Sequence, residues 1–460
     1  MPADDALEAY LEPRTAARLA GFLEFLRIPS ISGIPAHAAD CRRAAGWLVD
    51  RLTAIGLEHV EAAETGGHPI VYADWLHAAG APTVVAYGHY DVQPVDPLEE
   101  WSSSPFEPVV TPERILARGA SDDKANITIM VDAAAALLAV RGRLPVNLRF
   151  VFEGEEESSS VHLEPWLLAN RARLAGDVAI VSDVGFFEGN RPALTVGLRG
   201  LMYAQVEVAG PFQDVHSGGY GGSVANPAHA LAQIIAGLHD DQGRVTIPGF
   251  YDDVVPLSPA ERTAYADLPF DEEAYRAALE VPMLVGEAGY TTLERKTARP
   301  TLDVNGIWGG YQGEGSKTIV PGRASAKISC RLVPDQVPER VFELFKAHVL
   351  ALAPPGVRVT VRDLGGGLPS RTSLDHPGVQ AAARALEATF GAAPLYIREG
   401  GSIPFVATFE HALGLPVVLL GFAPPNGNFH APNEWMDRQN FELGIRAFAR
   451  TLDEMATLTA

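Results

Sequence analysis

Apolar residues recur at helical spacing near the start of the chain. Ala44, Ala45, Leu48, Val49, Leu52 and Ile55 fall on one face, and Gly56 ends the run. Residues 15–56 therefore read as two helices around the loop "RIPSISGIPAHAAD". Beyond them, short apolar runs alternate with helical stretches: "PIVYADW", "TVVAYG", a helix over about 123–141, "NLRFVFEG", a helix near 161–172, and "VAIVSD". Such alternation predicts an α/β domain with a mainly parallel sheet flanked by helices. The run "LPVVLLGF" at 415–422 reads as one more buried strand of the same type.

The middle of the chain follows another rhythm. "ALTVGLRGLMYAQVEVAG" alternates with period two, as a half-exposed strand does. A helix at about 227–239, an irregular acidic stretch, the strand "RASAKISCRLV", the helix "PERVFELFKAHVLAL" and the strand "VRVTVRDLG" follow. Two helices over antiparallel strands predict a small α+β sandwich inserted into the first domain. The Gly-rich joint "LGGGLPSRTS" at 364–373 marks the return. The expected organisation is a catalytic domain in two parts, 1–196 and 373–460, interrupted by an inserted domain over 197–372.

Composition narrows the partners. A formal net charge of −21 disfavours nucleic acid and anionic membranes, and no apolar run is long enough to span a bilayer. The two cysteines, Cys41 and Cys330, cannot form a disulfide framework and read as reduced and structural. The N-terminal stretch has no apolar signal core, so a cytoplasmic protein is the simplest expectation. "GGYQGEGSKT" nearly spells a phosphate-binding loop, but Ser316 intrudes between Gly315 and Lys317, and "IVPG" follows where a helix should begin.

The candidate chemistry lies where the strands end, which is where open α/β sheets bind ligands. His89 follows "TVVAYG", Asp122 sits in "RGASDDK", Glu156 and Glu157 sit in "EGEEESSS", Asp183 ends "VAIVSD", and His430 lies in "NGNFHAPNE". Each alone has a plain structural reading: a satisfied histidine, or acids at a helix start. Together in one crevice they would be charges too costly to leave uncompensated. Shared cations resolve this, and imidazoles mixed with carboxylates suit zinc or another first-row metal better than calcium.

The set "GHYDVQP", "RGASDDK", "EGEEESSS", "VSD", "VHSGGYGG", "CRLVP", "GGSIP" and "FHAPNE" resembles the dinuclear zinc exopeptidases that include carnosinases and bacterial dipeptidases. Acetylornithine deacetylase, succinyl-diaminopimelate desuccinylase and glutamate carboxypeptidases are more distant relatives. The resemblance implies two divalent metal ions per subunit, zinc first, with manganese or cobalt as alternatives. His89 and Asp183 would hold one, Glu157 and His430 the other, and Asp122 would bridge them, with a cis peptide between Asp122 and Asp123. Asp91 would orient the His89 ring, and Glu156 would be the general base toward a water between the metals. One departure stands at Ser159, where the family usually has glycine.

The same resemblance makes the inserted domain a lid and dimer interface, with His216 reaching a partner subunit's site to stabilise an oxyanion. Arg331, Thr318, Gly401 and Ser402 match positions that grip substrate. The function implied is a metal-dependent dipeptidase acting on small peptides. Aspartate at position 183 goes with dipeptidase or aminopeptidase activity, and glutamate there with deacylases and carboxypeptidases. The competing readings are an N-acyl-amino-acid deacylase or desuccinylase, and a non-catalytic metal-binding protein on the same scaffold. The preferred peptide and the physiological metal are left open at this level.

Overall fold

The computed structural model describes residues 3–401, 404–411 and 413–458. The chain divides into two compact units. One comprises Met1–Val196, Thr372–Ile397 and Thr408–Ala460, and the other Gly197–Arg371 with Arg398–Ala407.

The sheet of the first unit runs in the order Glu58–Ala63, Ile70–Trp75, Asn147–Glu153, Thr83–His89, Val178–Val181, Val417–Leu419, Ala193–Leu198. The four strands from Asn147–Glu153 to Val417–Leu419 are mutually parallel, and the strands outside them pair antiparallel. The central strands lack polar alternation because both faces are covered. Val178–Val181 is wholly buried, and in Thr83–His89 only Thr83 is partly exposed. Helix Lys124–Arg141 is apolar nearly all round and packs against Arg438–Met455, so it runs through the interior instead of over the surface. Gly142 ends it with φ 66, its N–H donating to the Leu138 carbonyl at 2.8 Å, a left-handed closure that costs glycine little. Phe22, Phe25, Leu48, Met130, Phe150, Phe441 and Phe448 fill the core.

In the second unit four antiparallel strands lie in the order Thr301–Gly309, Arg323–Leu332, Gly200–Ala209, Arg358–Gly367. Helices Pro227–Ala236 and Pro338–Leu352 press Ala230, Leu231, Ile234, Phe345 and Val349 onto Met202, Ala204, Val206, Val208 and Ile328. Gly200–Ala209 alternates strictly between buried and half-buried, the period-two pattern legible in the sequence.

Several elements differ from expectation. "ALTVGLRGLMYAQVEVAG" is two strands broken at Arg199, and the first, Ala193–Leu198, is wholly buried. The irregular acidic stretch holds short helices at Pro259–Ala266, Glu272–Ala278 and Thr292–Thr297. Ser258 with Glu261 and Thr291 with Glu294 form capping boxes that satisfy the helix-start N–H groups. The Gly-rich joint is partly strand, since Arg358–Gly367 extends through Gly365 to Gly367 and Ser370–Arg371 pairs again. Helix Ala3–Leu11 precedes the first helix that the apolar spacing marks. Both cysteines are buried and free, and burial pushes the Cys41 thiol up to about 12. Among the described residues no helix is long and apolar enough to cross a membrane.

Candidate metal centre

The four parallel strands finish at one rim, at Glu153, His89, Val181 and Leu419. His89 is the last residue of its strand. Asp183 stands two residues past Val181, and Glu156 and Glu157 open a short turn, Glu156–Ser158, just beyond Glu153. Asp122 precedes the interior helix, and His430 lies on the loop after Val417–Leu419, with left-handed backbone at φ 58. Gly88 lets the helix start come this close, since a Cβ there would sit 2.7 Å from Asp123 Oδ2 and 2.8 Å from Ile127 Cγ1.

Asp122 is the centre of the cluster. Its Oδ1 lies 2.9 Å from His89 Nε2, and its Oδ2 lies 3.1 Å from His430 Nε2. Asp183 Oδ1 is 3.7 Å from His89 Nε2, and Glu157 Oε2 is 3.2 Å from His430 Nε2. Two triads result, His89–Asp122–Asp183 and Asp122–Glu157–His430, each with its ligand atoms within 4.8 Å of one another. One carboxylate therefore belongs to both groups, one oxygen to each. The peptide bond between Asp122 and Asp123 is cis.

Asp91 serves both sides of the rim. The His89 Nδ1 lies 3.2 Å from its backbone carbonyl and 3.5 Å from Oδ1, so Nε2 is the nitrogen that faces the cluster. The same carboxylate accepts the Glu156 N–H at 3.2 Å, the Glu157 N–H at 3.0 Å and the Ser32 hydroxyl at 2.6 Å. It fixes the double-glutamate turn as well as the ring.

The electrostatics follow from burying several acids and two imidazoles at one rim. Burial, followed by the repulsion of neighbouring carboxylates, holds Glu156 well above its ordinary value. Burial also raises Asp183 and Glu157, against the pull of the imidazoles. His430 is pushed up to about 10 by its contacts with Asp122 and Glu157. Burial pulls His89 down, yet hydrogen bonds to Asp122, Asp183 and Asp91 keep it well above normal. The donor set, two imidazoles and three carboxylates in two overlapping triads, fits a pair of divalent first-row metal ions.

Residues 85–454 match the model of peptidase family M20/M25/M40. The chain belongs to that family. The Cys-Gly metallodipeptidase of Schizosaccharomyces pombe is 32% identical over 94% of this chain and 94% of its own length. The human Beta-Ala-His dipeptidase is 33% identical over 85% of this chain and 78% of that protein. Among solved structures, an M20 family metallo-carboxypeptidase from Sulfolobus solfataricus superposes with a TM-score of 0.84 at 35% identity, covering 96% of this chain and 99% of its own. With the M20 match and metallodipeptidase relatives over most of its length, the chain is a metallopeptidase.

The remaining M20 candidates lie in the second unit. His216 forms a two-residue ribbon with Ile319, and its Nδ1 accepts the Gly219 N–H at 3.2 Å. Thr318 is brought beside it, its carbonyl accepting the Ser217 N–H at 3.0 Å. A strand, Ile319–Val320, follows "GSKT", so the phosphate-loop likeness has no helix to support it. Arg331 is half-buried in the sheet opposite Leu201 and Thr301. Gly401 is exposed and accepts the Arg199 N–H at 3.1 Å. Ser402 lies outside the described residues.

Two residues that no sequence pattern marks support the centre, and a third stands near Arg331 in the second unit. Glu434, fully buried, accepts the N–H groups of Gly119, Ser121 and Asp122 at 2.9, 2.8 and 3.0 Å, and the Arg118 guanidinium at 2.9 Å. It stands in "FHAPNE", four residues after His430, so the motif contained it without revealing its target. Gln93 Nε2 donates to Glu157 Oε2 at 2.7 Å. Arg199 is lowered to about 10 by burial and by the neighbouring Arg331, a like-charged pair no local signal suggests.

Proposed function

We propose that this M20 metallopeptidase is a dipeptidase that cleaves small peptides at two adjacent divalent cations, zinc in the first instance. His89 and Asp183 hold one ion, Glu157 and His430 the other, and Asp122 is shared. The observation that carries this reading is the split of the Asp122 carboxylate, one oxygen toward His89 and the other toward His430. The names of the relatives support it, since they act on Cys-Gly and Beta-Ala-His dipeptides.

Bound in the two triads, the cations would acidify a water and polarise the scissile carbonyl. The chain's own residues do the rest. Glu156 stands next to the ligand Glu157 and is held by the Asp91 anchor. It takes the water proton and passes it to the leaving amine. Asp91 keeps the His89 tautomer that presents Nε2. Arg331, with Arg199 beside it, offers cationic charge to the peptide's terminal carboxylate, which suits the fork of a guanidinium. Thr318 and Gly401, with Ser402, complete the grip on substrate.

The second unit serves in this reading as lid and dimer interface of a homodimer. His216 of the partner subunit meets the developing oxyanion through Nε2, its Nδ1 being engaged with Gly219. The cytoplasm is the proposed compartment, where two free, buried cysteines stay reduced.

The test is to strip the protein with chelator and restore zinc, manganese or cobalt. Turnover is then assayed on dipeptides, tripeptides and N-acyl amino acids. Two equivalents of metal and cleavage of dipeptides are expected. Cleavage of acyl amino acids alone would establish a deacylase. Release of C-terminal residues from longer peptides would align the protein with the Sulfolobus metallo-carboxypeptidase it resembles. Glu156→Gln should lower kcat by about 10²–10⁴-fold, with both metals retained on elemental analysis.

A further inference from the structure

A second group of metal-ligating side chains lies at the edge of the first unit's sheet, on strands that supply nothing to the M20 centre. Glu58 and Asp74 face each other directly across the antiparallel pair Glu58–Ala63 and Ile70–Trp75, which puts their side chains on one face. His59 would point to the opposite face in a regular strand. Instead its backbone is left-handed, φ 50, at a break in register between Glu58 and Glu61. Its Nδ1 thereby lies 2.8 Å from Asp74 Oδ1.

One ligand atom each from Glu58, His59 and Asp74 lies within 4.8 Å of the others. Just past the strand end, His77 Nε2 lies 3.0 Å from Glu58 Oε1. Asp74 is nearly buried, and its second oxygen accepts the Tyr72 hydroxyl at 2.8 Å, which fixes the carboxylate that faces His59. Of the nearby cations, Arg173 is already engaged by Glu61 and by the His59 carbonyl at 3.4 Å. Arg149 is the direct cross-strand partner of Asp74 on the adjacent strand, on the same face of the sheet.

We propose that Glu58, His59 and Asp74 form a divalent transition-metal site of the zinc class that clasps the edge strand to the sheet. One imidazole and two carboxylates make a three-donor set that suits zinc with water in the fourth place, and is too small for calcium. The exposure of Glu58 and His59 leaves the site open, so the ion exchanges with solvent and binds more weakly than in an enclosed centre. Its effect is on stability: an ion bound by the folded pair of strands and not by the unfolded chain raises the unfolding temperature.

The experiment uses the full-length, untagged protein, stripped of metal and titrated with zinc under equilibrium dialysis. Wild type is expected to bind one more, weaker equivalent than a His59→Ala variant, and to gain in Tm as that equivalent fills. The variant should keep the tight equivalents and the turnover they support, and should lose the Tm gain. Equal zinc uptake by wild type and variant would overturn the proposal, as would a Tm gain that survives in the variant. Glu58→Gln alone, a change at an exposed residue, should weaken the extra equivalent. If it leaves that affinity unchanged, Glu58 is not a ligand and the proposed site fails. The readout is a difference of one equivalent, so it stands apart from the count at the M20 centre.

Discussion

The residue that most clearly records a constraint is Ser159. It closes the turn Glu156–Ser158 with φ 85, a left-handed conformation in which a Cβ crowds the following carbonyl. The turn that aims Glu156 and Glu157 demands that backbone whatever side chain is present. Ser159→Gly is therefore expected to stabilise the protein by about 1 kcal/mol, measured by denaturant unfolding, with metal content unchanged. His430 bears a similar constraint at φ 58, but there the imidazole meets Asp122 and Glu157, contacts that glycine could not make. Identity at such positions was legible in the sequence. The backbone geometry was not, because it follows from where neighbouring segments pass.

At the scale of elements, two buried carboxylates tie the rim together. Glu434 joins the His430 loop to the loop ending at Asp122, and its removal would strand the buried Arg118 guanidinium and three backbone N–H groups. Glu434→Ala should cost about 3–5 kcal/mol and weaken the metal centre, seen as a lower unfolding midpoint and loss of metal on dialysis. Glu153, at the end of its strand, accepts the Tyr87 and Ser160 hydroxyls and is pushed up to about 8 by burial. The folded state thus keeps a proton that the unfolded chain, near the ordinary value of 4.5, has released. Stability from this group is whole below that ordinary value and is lost as pH rises through the folded value. Glu153→Gln, neutral throughout, should flatten this part of the stability–pH curve between about pH 5 and pH 8; an unchanged slope in urea titrations would show that Glu153 is not its source.

For the whole molecule, the proposal of a homodimer with shared sites has a direct test. Glu156→Gln and His216→Ala chains are each expected to be nearly inactive. Mixed after dissociation and reassembly, they should regain part of the wild-type turnover, since one site in each heterodimer would combine an intact Glu156 with an intact His216. Verified heterodimers without recovered activity would place His216 outside the partner's site. The clustering of Arg398–Ala407 with the second unit was not visible in the linear pattern, because contacts, not sequence order, decide which unit a segment joins.

The sequence alone determined the alternation of buried strands and helices, and with it a sheet whose strand ends carry His89, Asp183, Glu157 and His430. Period and burial are local properties, so the parallel centre and the antiparallel sandwich could be read directly. Short polar helices such as Pro259–Ala266 escaped because their starts are marked by capping side chains and not by an apolar stripe. Only the tertiary structure decided that Asp122 would present one oxygen to each imidazole, that Glu434 would hold its backbone, and that His59 would turn to the face of Asp74. These depend on distances between segments far apart in the chain, which the close packing of helix, strand and loop sets and no local pattern encodes.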